Sequence, residues 1–229
     1  MTDPSLNEIT IQPGSVKICG LREREHAIAA AWAGADLLGF IFAPTRRHVA
    51  PAIARDAITA ARAVSPRPFL AVGVFVNASI DDMNHAACVA GLDVIQLSGD
   101  EPPGVISDLT LPVLRAIRPA PGATAVDILA EVAKTSGHSP VAYVLDGFHA
   151  GHYGGTGVRA DWRLSSKLSG QVPLLLAGGL NLDNVAAAIK TVNPLGVDVS
   201  TGVERDGSKD AGLIAAFVEA ARKSFRARG

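Results

Sequence analysis

Two side chains able to exchange protons stand where short apolar runs end. Cys19 closes Val16-Lys17-Ile18-Cys19 and is followed by Gly20; Asp146 follows Val141-Ala142-Tyr143-Val144-Leu145. A carboxylate at the end of an apolar strand is partly desolvated. That raises its pKa and prepares it as a general acid near neutral pH. A thiolate can serve as a base if its pKa falls below the free value of ~8.5, as beside a cationic intermediate or a helix N-terminus. Each residue also has a plainer reading. Most free cysteines are small buried hydrophobes, and aspartate is a common cap or turn residue.

A second group of residues suits an anion. The loop after Asp146 contains Gly151-His152-Tyr153-Gly154-Gly155-Thr156-Gly157, and Ala177-Gly178-Gly179 and Ser200-Thr201-Gly202 close two later apolar runs. Unhindered backbone amides and a nearby helix N-terminus favour phosphate. Gly155, Thr156, Gly157, Gly178, Gly179, Ser200, Thr201 and Gly202 are therefore the candidate phosphate-binding residues, and three tight turns with no ligand are the alternative. Gly155 to Ala160 also fits a dinucleotide fingerprint on paper. It does not directly follow a strand or open a first βα unit, so a dinucleotide is rejected. In Arg46-Arg47-His48 an arginine could hold a carboxylate through two parallel hydrogen bonds; Arg46 reads better as a solvated charge. Asp198 lies inside an apolar run, where a structural hydrogen bond competes with a substrate contact. His149 and His152 have loose metal spacing but no third ligand, so no metal is expected.

These residues need elements to hold them. Apolar runs without polar alternation mark strands buried on both faces, at 16–19, 36–42, 69–76, 94–97, 113–117, 141–145, 173–177 and 196–199. Helical patterns lie between them. One runs from Glu23 to Ala33 and stops at Gly34; another starts at Pro51 and reaches Val64. Ser79, Asp161 and Asn181 are candidate caps, and Leu182, Val185, Ala186 and Ile189 fall on one face after Asn181. Leu213, Ile214, Phe217, Val218 and Ala221 do the same in the last helix. Helices over 103–109 and 124–134 complete the set. Eight strand–helix units without a break predict one (β/α)8 barrel over 16–229, in preference to an open doubly wound sheet. In such a barrel, strand C-terminal ends carry function. Residues 1–15 read as a loose polar extension.

The composition excludes other classes. The chain has 229 residues, 48% hydrophobic and 19% charged, with a net charge of −1, so electrostatics favour neither nucleic acid nor an anionic membrane. No apolar run approaches the ~18 residues of a membrane span. Two cysteines and no signal-peptide pattern point to a reducing, cytoplasmic setting.

Taken together, the motifs resemble phosphoribosylanthranilate isomerases of tryptophan biosynthesis. The matching segments are Val16-Lys17-Ile18-Cys19-Gly20, Gly39-Phe40-Ile41-Phe42 with Arg47-His48-Val49, and Val72 to Asn77. Gln96-Leu97 with Gly99-Asp100-Glu101, Leu145-Asp146, and Gly154 to Gly157 with Asp161-Trp162 follow. Ala177-Gly178-Gly179-Leu180, Val197-Asp198-Val199-Ser200 and Gly202-Val203-Glu204 complete them. The resemblance implies a cofactor-free Amadori rearrangement of N-(5-phosphoribosyl)anthranilate to 1-(o-carboxyphenylamino)-1-deoxyribulose 5-phosphate. It implies Asp146 as general acid, Cys19 as general base and Arg47 on the anthranilate carboxylate, with Asp198 also placed among the substrate contacts. The expected partner is only this phosphosugar, with the chain a monomer and a dimer as the alternative.

One departure stands out. The family reads Gln-Leu-His-Gly where this chain has Gln96-Leu97-Ser98-Gly99. The histidine lies on the anthranilate side, so the change touches aromatic recognition and leaves the acid–base pair intact. The first helix opens with Leu21-Arg22 where a Ser or Thr cap is common. Competing readings are another phosphosugar barrel enzyme, such as the histidine-pathway isomerase, or a non-catalytic phosphometabolite binder. The histidine-type enzyme normally has aspartate at the position of Cys19.

Overall fold

Eight parallel strands pair in sequence order and close on themselves, the last against the first. They are β1 (Ser15–Cys19), β2 (Leu37–Ile41), β3 (Leu70–Phe75), β4 (Val94–Leu97), β5 (Val113–Ile117), β6 (Ala142–Leu145), β7 (Leu174–Leu176) and β8 (Gly196–Val199). The computed structural model describes residues 9–135, 137, 140–147 and 159–228. The eight predicted strands are all present; four are trimmed by one residue at one or both ends, three keep their bounds, and β1 starts one residue earlier.

The helices begin and end where side-chain chemistry allows. Helix α1 (Arg24–Trp32) starts after Glu23, whose side chain makes no capping bond, as expected where Ser or Thr is absent. Gly34 follows with φ of +85°, a conformation that costs glycine little. Pro51 opens α2 (Pro51–Val64), which turns Ala54, Ala57, Ile58 and Ala61 inward at helical spacing. Ser79 Oγ accepts from the Asp82 amide at 3.1 Å to start α3 (Ile80–Ala90). Thr124 and Asp127 form a reciprocal capping box at α4 (Ala125–Ala133). Asp161 caps α5 (Trp162–Ser169), and Asp210 caps α7 (Ala211–Arg226).

Three sequence expectations need correction. The segment predicted as a helix over 103–109 is a 3-10 helix, Pro103–Asp108, with no fully buried residue; Val105 and Ile106 pack only partly against the core, which supports a short turn rather than a longer helix. Asn181 does not cap α6 (Val185–Val192). Its Oδ1 instead accepts from the amides of Asp183 and Asn184, making a local turn, so Leu182 lies outside the helix and is 42% exposed. Part of the stretch expected to be loose is packed: Ile11 is 3% exposed and joins Leu37, Val72, Val94, Leu114 and Leu175 inside the barrel.

Because strand side chains alternate, each strand sends one row into the barrel and one out to the helices. The outward row, including Ile18, Leu38, Phe40, Ile95 and Leu176, packs with the helices in one continuous core. The inward rows start apolar and turn polar. Leu114-Ala116 leads by steps of two to Arg118, Ala142-Val144 to Asp146, Val94 to Gln96 and Ser98, and Lys17 to Cys19. The floor is thus greasy and the C-terminal rim is polar. Among the described residues, no helix is long and apolar enough to cross a membrane.

Candidate active site

The inward rows end in one pocket at the C-terminal mouth. Cys19, Arg47, Gln96, Ser98, Arg118, Asp146, Gly178, Gly179, Asp198, Ser200, Thr201 and Gly202 all line it. Among the described candidates for acid–base, substrate and phosphate contact, every one is in this wall. Gly155, Thr156 and Gly157, together with His149 and His152, lie outside the described residues.

Cys19 is buried, and the backbone makes room for its sulfur. Gly39 is its partner in the β1–β2 register, and a Cβ there would stand 2.9 Å from Sγ. Burial pushes the Cys19 thiol above its ordinary pKa; the Lys17 and Lys209 ammonium groups pull against this, and Asp198 adds to it. A lowered pKa is the condition for a thiolate base, and here desolvation outweighs the neighbouring ammonium groups and moves the thiol the other way.

Asp146 sits across the mouth. Its Oδ1 accepts from the Gly147 amide at 2.8 Å. Burial pushes its carboxyl from 3.8 up to about 6; the Gly147 hydrogen bond, Arg118 and Lys17 oppose the rise, while Asp198 assists it. A carboxylic acid with that pKa still carries a proton in a useful fraction of molecules near neutrality.

Beneath these two lies an ion pair not singled out in the sequence. Lys17 is completely buried, with Nζ 3.0 Å from Asp198 Oδ2. The pair spans the closing seam of the barrel, where Lys17 and Asp198 are register partners. Asp198 Oδ1, also buried, has no hydrogen-bond donor among the described residues, so a pocket-lining acceptor is left open. A charge alone within an apolar strand must find a partner. Lys17 in β1 and Asp198 in β8 each meet that description, and their pairing was the available signal.

The loop after β8 is held by an ionic cluster. Glu204 Oε1 accepts from Arg47 Nε at 2.7 Å and from Lys209 Nζ at 3.1 Å; Oε2 accepts from Arg46 Nη2 at 2.6 Å and Arg47 Nη2 at 3.1 Å. Burial works against the Glu204 charge, yet Arg47, Lys209 and Arg46 hold its pKa down at about 2. Arg46 is 52% exposed at its side chain but is tied to Glu204 and to the Gly207 carbonyl, rather than simply solvated. Arg47 Nη2 also reaches Thr201 Oγ1 at 3.2 Å. Its Cδ passes so close to Gly20 that a Cβ there would stand 2.6 Å away. Lys209 Nζ donates to the Ser200 carbonyl at 2.8 Å.

A two-stranded hairpin, β9 (Glu204–Arg205) and β10 (Ser208–Lys209), supplies Glu204 and Lys209. It follows β8, where the anion reading anticipated a helix N-terminus nearby. The loops after β7 and β8 also meet directly. Asn181 and Gly202 form a parallel bridge, and a Cβ on Gly202 would lie 1.9 Å from the Leu180 carbonyl oxygen. Only glycine permits that approach, which aligns Gly178-Gly179 with Ser200-Thr201 on one wall.

On the opposite side, Gln96 Nε2 donates to Ser98 Oγ at 3.0 Å, and Arg118 Nη1 to the Ser98 carbonyl at 2.6 Å. Gln96 Oε1 is buried without a hydrogen-bond donor. Ser98 thus joins a short polar network.

The mouth of the (β/α)8 barrel thus brings a carboxyl, a thiol, a second carboxylate and a glycine- and hydroxyl-rich wall into one pocket. The comparisons specify it further. Residues 16–220 match the family model for N-(5'phosphoribosyl)anthranilate (PRA) isomerase. The N-(5'-phosphoribosyl)anthranilate isomerase of Roseiflexus sp. (strain RS-1) is 46% identical over 212 residues, covering 91% of this chain and 97% of the relative. The crystal structure of phosphoribosyl anthranilate isomerase from Thermotoga maritima superposes with a TM-score of 0.77 at 31% identity, covering 91% and 98% of the two chains. A further structure of such an isomerase, in complex with reduced 1-(o-carboxyphenylamino)-1-deoxyribulose 5-phosphate, gives a TM-score of 0.74 at 31% identity, with the same 91% and 98% coverage. The chain belongs to the phosphoribosylanthranilate isomerase family.

Proposed function

We propose that this barrel converts N-(5-phosphoribosyl)anthranilate into 1-(o-carboxyphenylamino)-1-deoxyribulose 5-phosphate, with Asp146 as general acid and Cys19 as general base. The observation that carries the assignment is the pairing of a carboxyl raised to about 6 with a buried thiol in one pocket. Ring opening needs a donor. The Asp146 proton goes to the ribose ring oxygen, the C1–O bond breaks, and the anilinic nitrogen lone pair forms a C1=N iminium. That cation acidifies the adjacent C2–H. The Cys19 thiolate takes this proton, and the C–H electrons form the C1=C2 bond of an enolamine. Tautomerisation then gives the C2 ketone, so C1 is reduced as C2 is oxidised and no external redox partner enters.

The rest of the wall has work in this scheme. Gly178, Gly179, Ser200, Thr201 and Gly202, with Gly155 to Gly157, hold the 5-phosphate, and this anchoring supplies effective molarity between acid and base. Arg47, oriented by Glu204, takes the anthranilate carboxylate. The open Oδ1 of Asp198 accepts from a sugar hydroxyl. All groups belong to one chain, so a single barrel is the working unit, and a thiol base suits a reducing cytoplasm.

The substrate-free charges are reversed relative to the productive form. With a thiol pKa above its usual value and Asp146 near 6, most molecules at neutral pH hold Asp146 ionised and Cys19 protonated. The reactive form has the same net charge with the proton moved across. Its fraction is therefore constant between the two pKa values, and kcat/KM has a plateau there.

The test is turnover of phosphoribosylanthranilate by the purified chain, with the histidine-pathway aminoaldose as control substrate. Formation of the deoxyribulose phosphate product with no turnover of the control is expected. Turnover of the aminoaldose alone, or of neither, contradicts the assignment.

A further inference from the structure

A fully buried lysine on the same strand face as the candidate base calls for a reason. Replacing a buried ion pair with apolar residues is often neutral or stabilising, so Lys17 and Asp198 are not explained by stability alone. Lys17 precedes Cys19 by two residues, so both point into the barrel. Its Nζ lies 3.0 Å from Asp198 Oδ2, and Asp198 and Cys19 line the same pocket. The site therefore sets an ammonium in contact with a carboxylate on the strand face that carries the sulfur, closed off from water at the ammonium.

We propose that Lys17 is the positioning residue of the base: clamped by Asp198, its ammonium donates to the Cys19 sulfur and stabilises the thiolate that accepts the C2 proton. This rests on Cys19 being the base. Asp198 fixes where the ammonium sits, since a lysine side chain without a partner would turn toward water. The register pairing of Lys17 with Asp198 across the barrel seam makes that clamp part of the fold.

Other charges face the sulfur too. Asp198 opposes ionisation and Lys209, from the hairpin after β8, favours it. Arg47 and Asp146 stand in the same pocket wall. Lys209 is committed to Glu204 and the Ser200 carbonyl, and Arg47 to Glu204 and Thr201. Lys17 is the cation that shares a strand face with the sulfur, two residues before it in β1. Burial works against the Lys17 charge, but Asp198 and Cys19 outweigh it and keep its pKa above the ordinary value, so it stays an ammonium across the working range.

The experiment titrates the Cys19 thiol by [3-13C]cysteine NMR without substrate. It uses a Cys88→Ala background, because Cys88 is exposed and would titrate separately. The variants, each measured against wild type, are Lys17→Gln, which keeps a donor for Asp198 but removes the charge, and Lys17→Met, which fills the same buried space without charge and stands in if the first misfolds. The expected result in either comparison is a thiol midpoint at least ~1 pH unit higher, with kcat about 10-fold lower and little change in affinity for the reduced product analogue, since one unit of pKa is a tenfold change in thiolate. A midpoint that stays put, or kcat unchanged with only affinity lost, overturns the role of Lys17. Failure of the underlying assignment has a different signature: Cys19→Ser would turn over at the wild-type rate.

Discussion

The end of β6 and the loop after β8 each place a carboxylate at the barrel mouth, and the two are treated in opposite ways. Glu204 is surrounded by Arg46, Arg47 and Lys209 and is held at about 2. Asp146 receives one amide hydrogen bond and no ion pair at contact distance among the described residues, and burial drives it to about 6. Partner supply and depth both separate them. A carboxylate given cations becomes a fixed strut that orients arginine. A carboxylate denied them keeps its proton to higher pH, as the proposed general acid must. Environments that push two acids apart in this way mark which is structural and which is chemical.

Four variants can break or sharpen that contrast. Cys19→Ser removes the partner of the deprived acid, and kcat should fall by about 10²–10⁴, the usual contribution of general acid–base catalysis. Steady-state turnover beside titration with the reduced product analogue reads this, with affinity expected to hold. Glu204→Gln should cost about 3 kcal/mol in urea unfolding at neutral pH, because it strands the buried Arg47 and Lys209. The sign follows from a lowered pKa. Glu204 contributes its stability above its unfolded value of 4.5 and loses it as pH falls toward about 2. The variant and wild type should therefore converge in strong acid.

The deprived carboxylate should behave in the opposite sense. Its folded pKa is raised, so the ionised form costs stability once pH exceeds about 6 and costs nothing below its unfolded value of 3.8. Asp146→Asn should therefore stabilise the fold by about 1–3 kcal/mol at pH 8 and by little near pH 4, read from urea midpoints at both pH values. The smallest effect is expected for Arg46→Ala. That arginine is half exposed and shares Glu204 with two better-buried cations, so a loss below about 1 kcal/mol is anticipated. A loss as large as that of Glu204→Gln would show that the cluster depends on its solvated member.

Much of the architecture is legible in the sequence because parallel strands buried on both faces leave unbroken apolar runs. Leu70 to Val76 and Leu174 to Ala177 announce themselves, and glycine, proline and capping residues mark most helix ends. Asn181 misleads because the same side chain that caps a helix also closes a local turn. The segment over 103–109 misleads because prolines fit the start of either helix type, and only tertiary packing chooses between them.

The site is legible in the same uneven way. Cys19, Asp146 and the glycine pairs lie next to each other in space because each ends an inward row, which strand alternation makes visible. The pKa of Cys19 is not visible. It depends on what closes over the sulfur, and burial by the neighbouring strands outweighs the nearby cations. Glu204 was part of a matching motif with no role attached to it, because its three partners come from a loop 157 residues away and from a hairpin with no strand signal. Gly39 carries no chemistry at all. Its part is to leave room for Sγ, which no local pattern reveals.

The most direct test of the central claim is the pH dependence of kcat/KM for phosphoribosylanthranilate in wild type and Asp146→Asn. The account predicts a wild-type plateau with an acid limb near pH 6, and a variant reduced by about 10²–10⁴ whose residual activity lacks that limb. A variant with near-wild-type turnover and the same limb would contradict it.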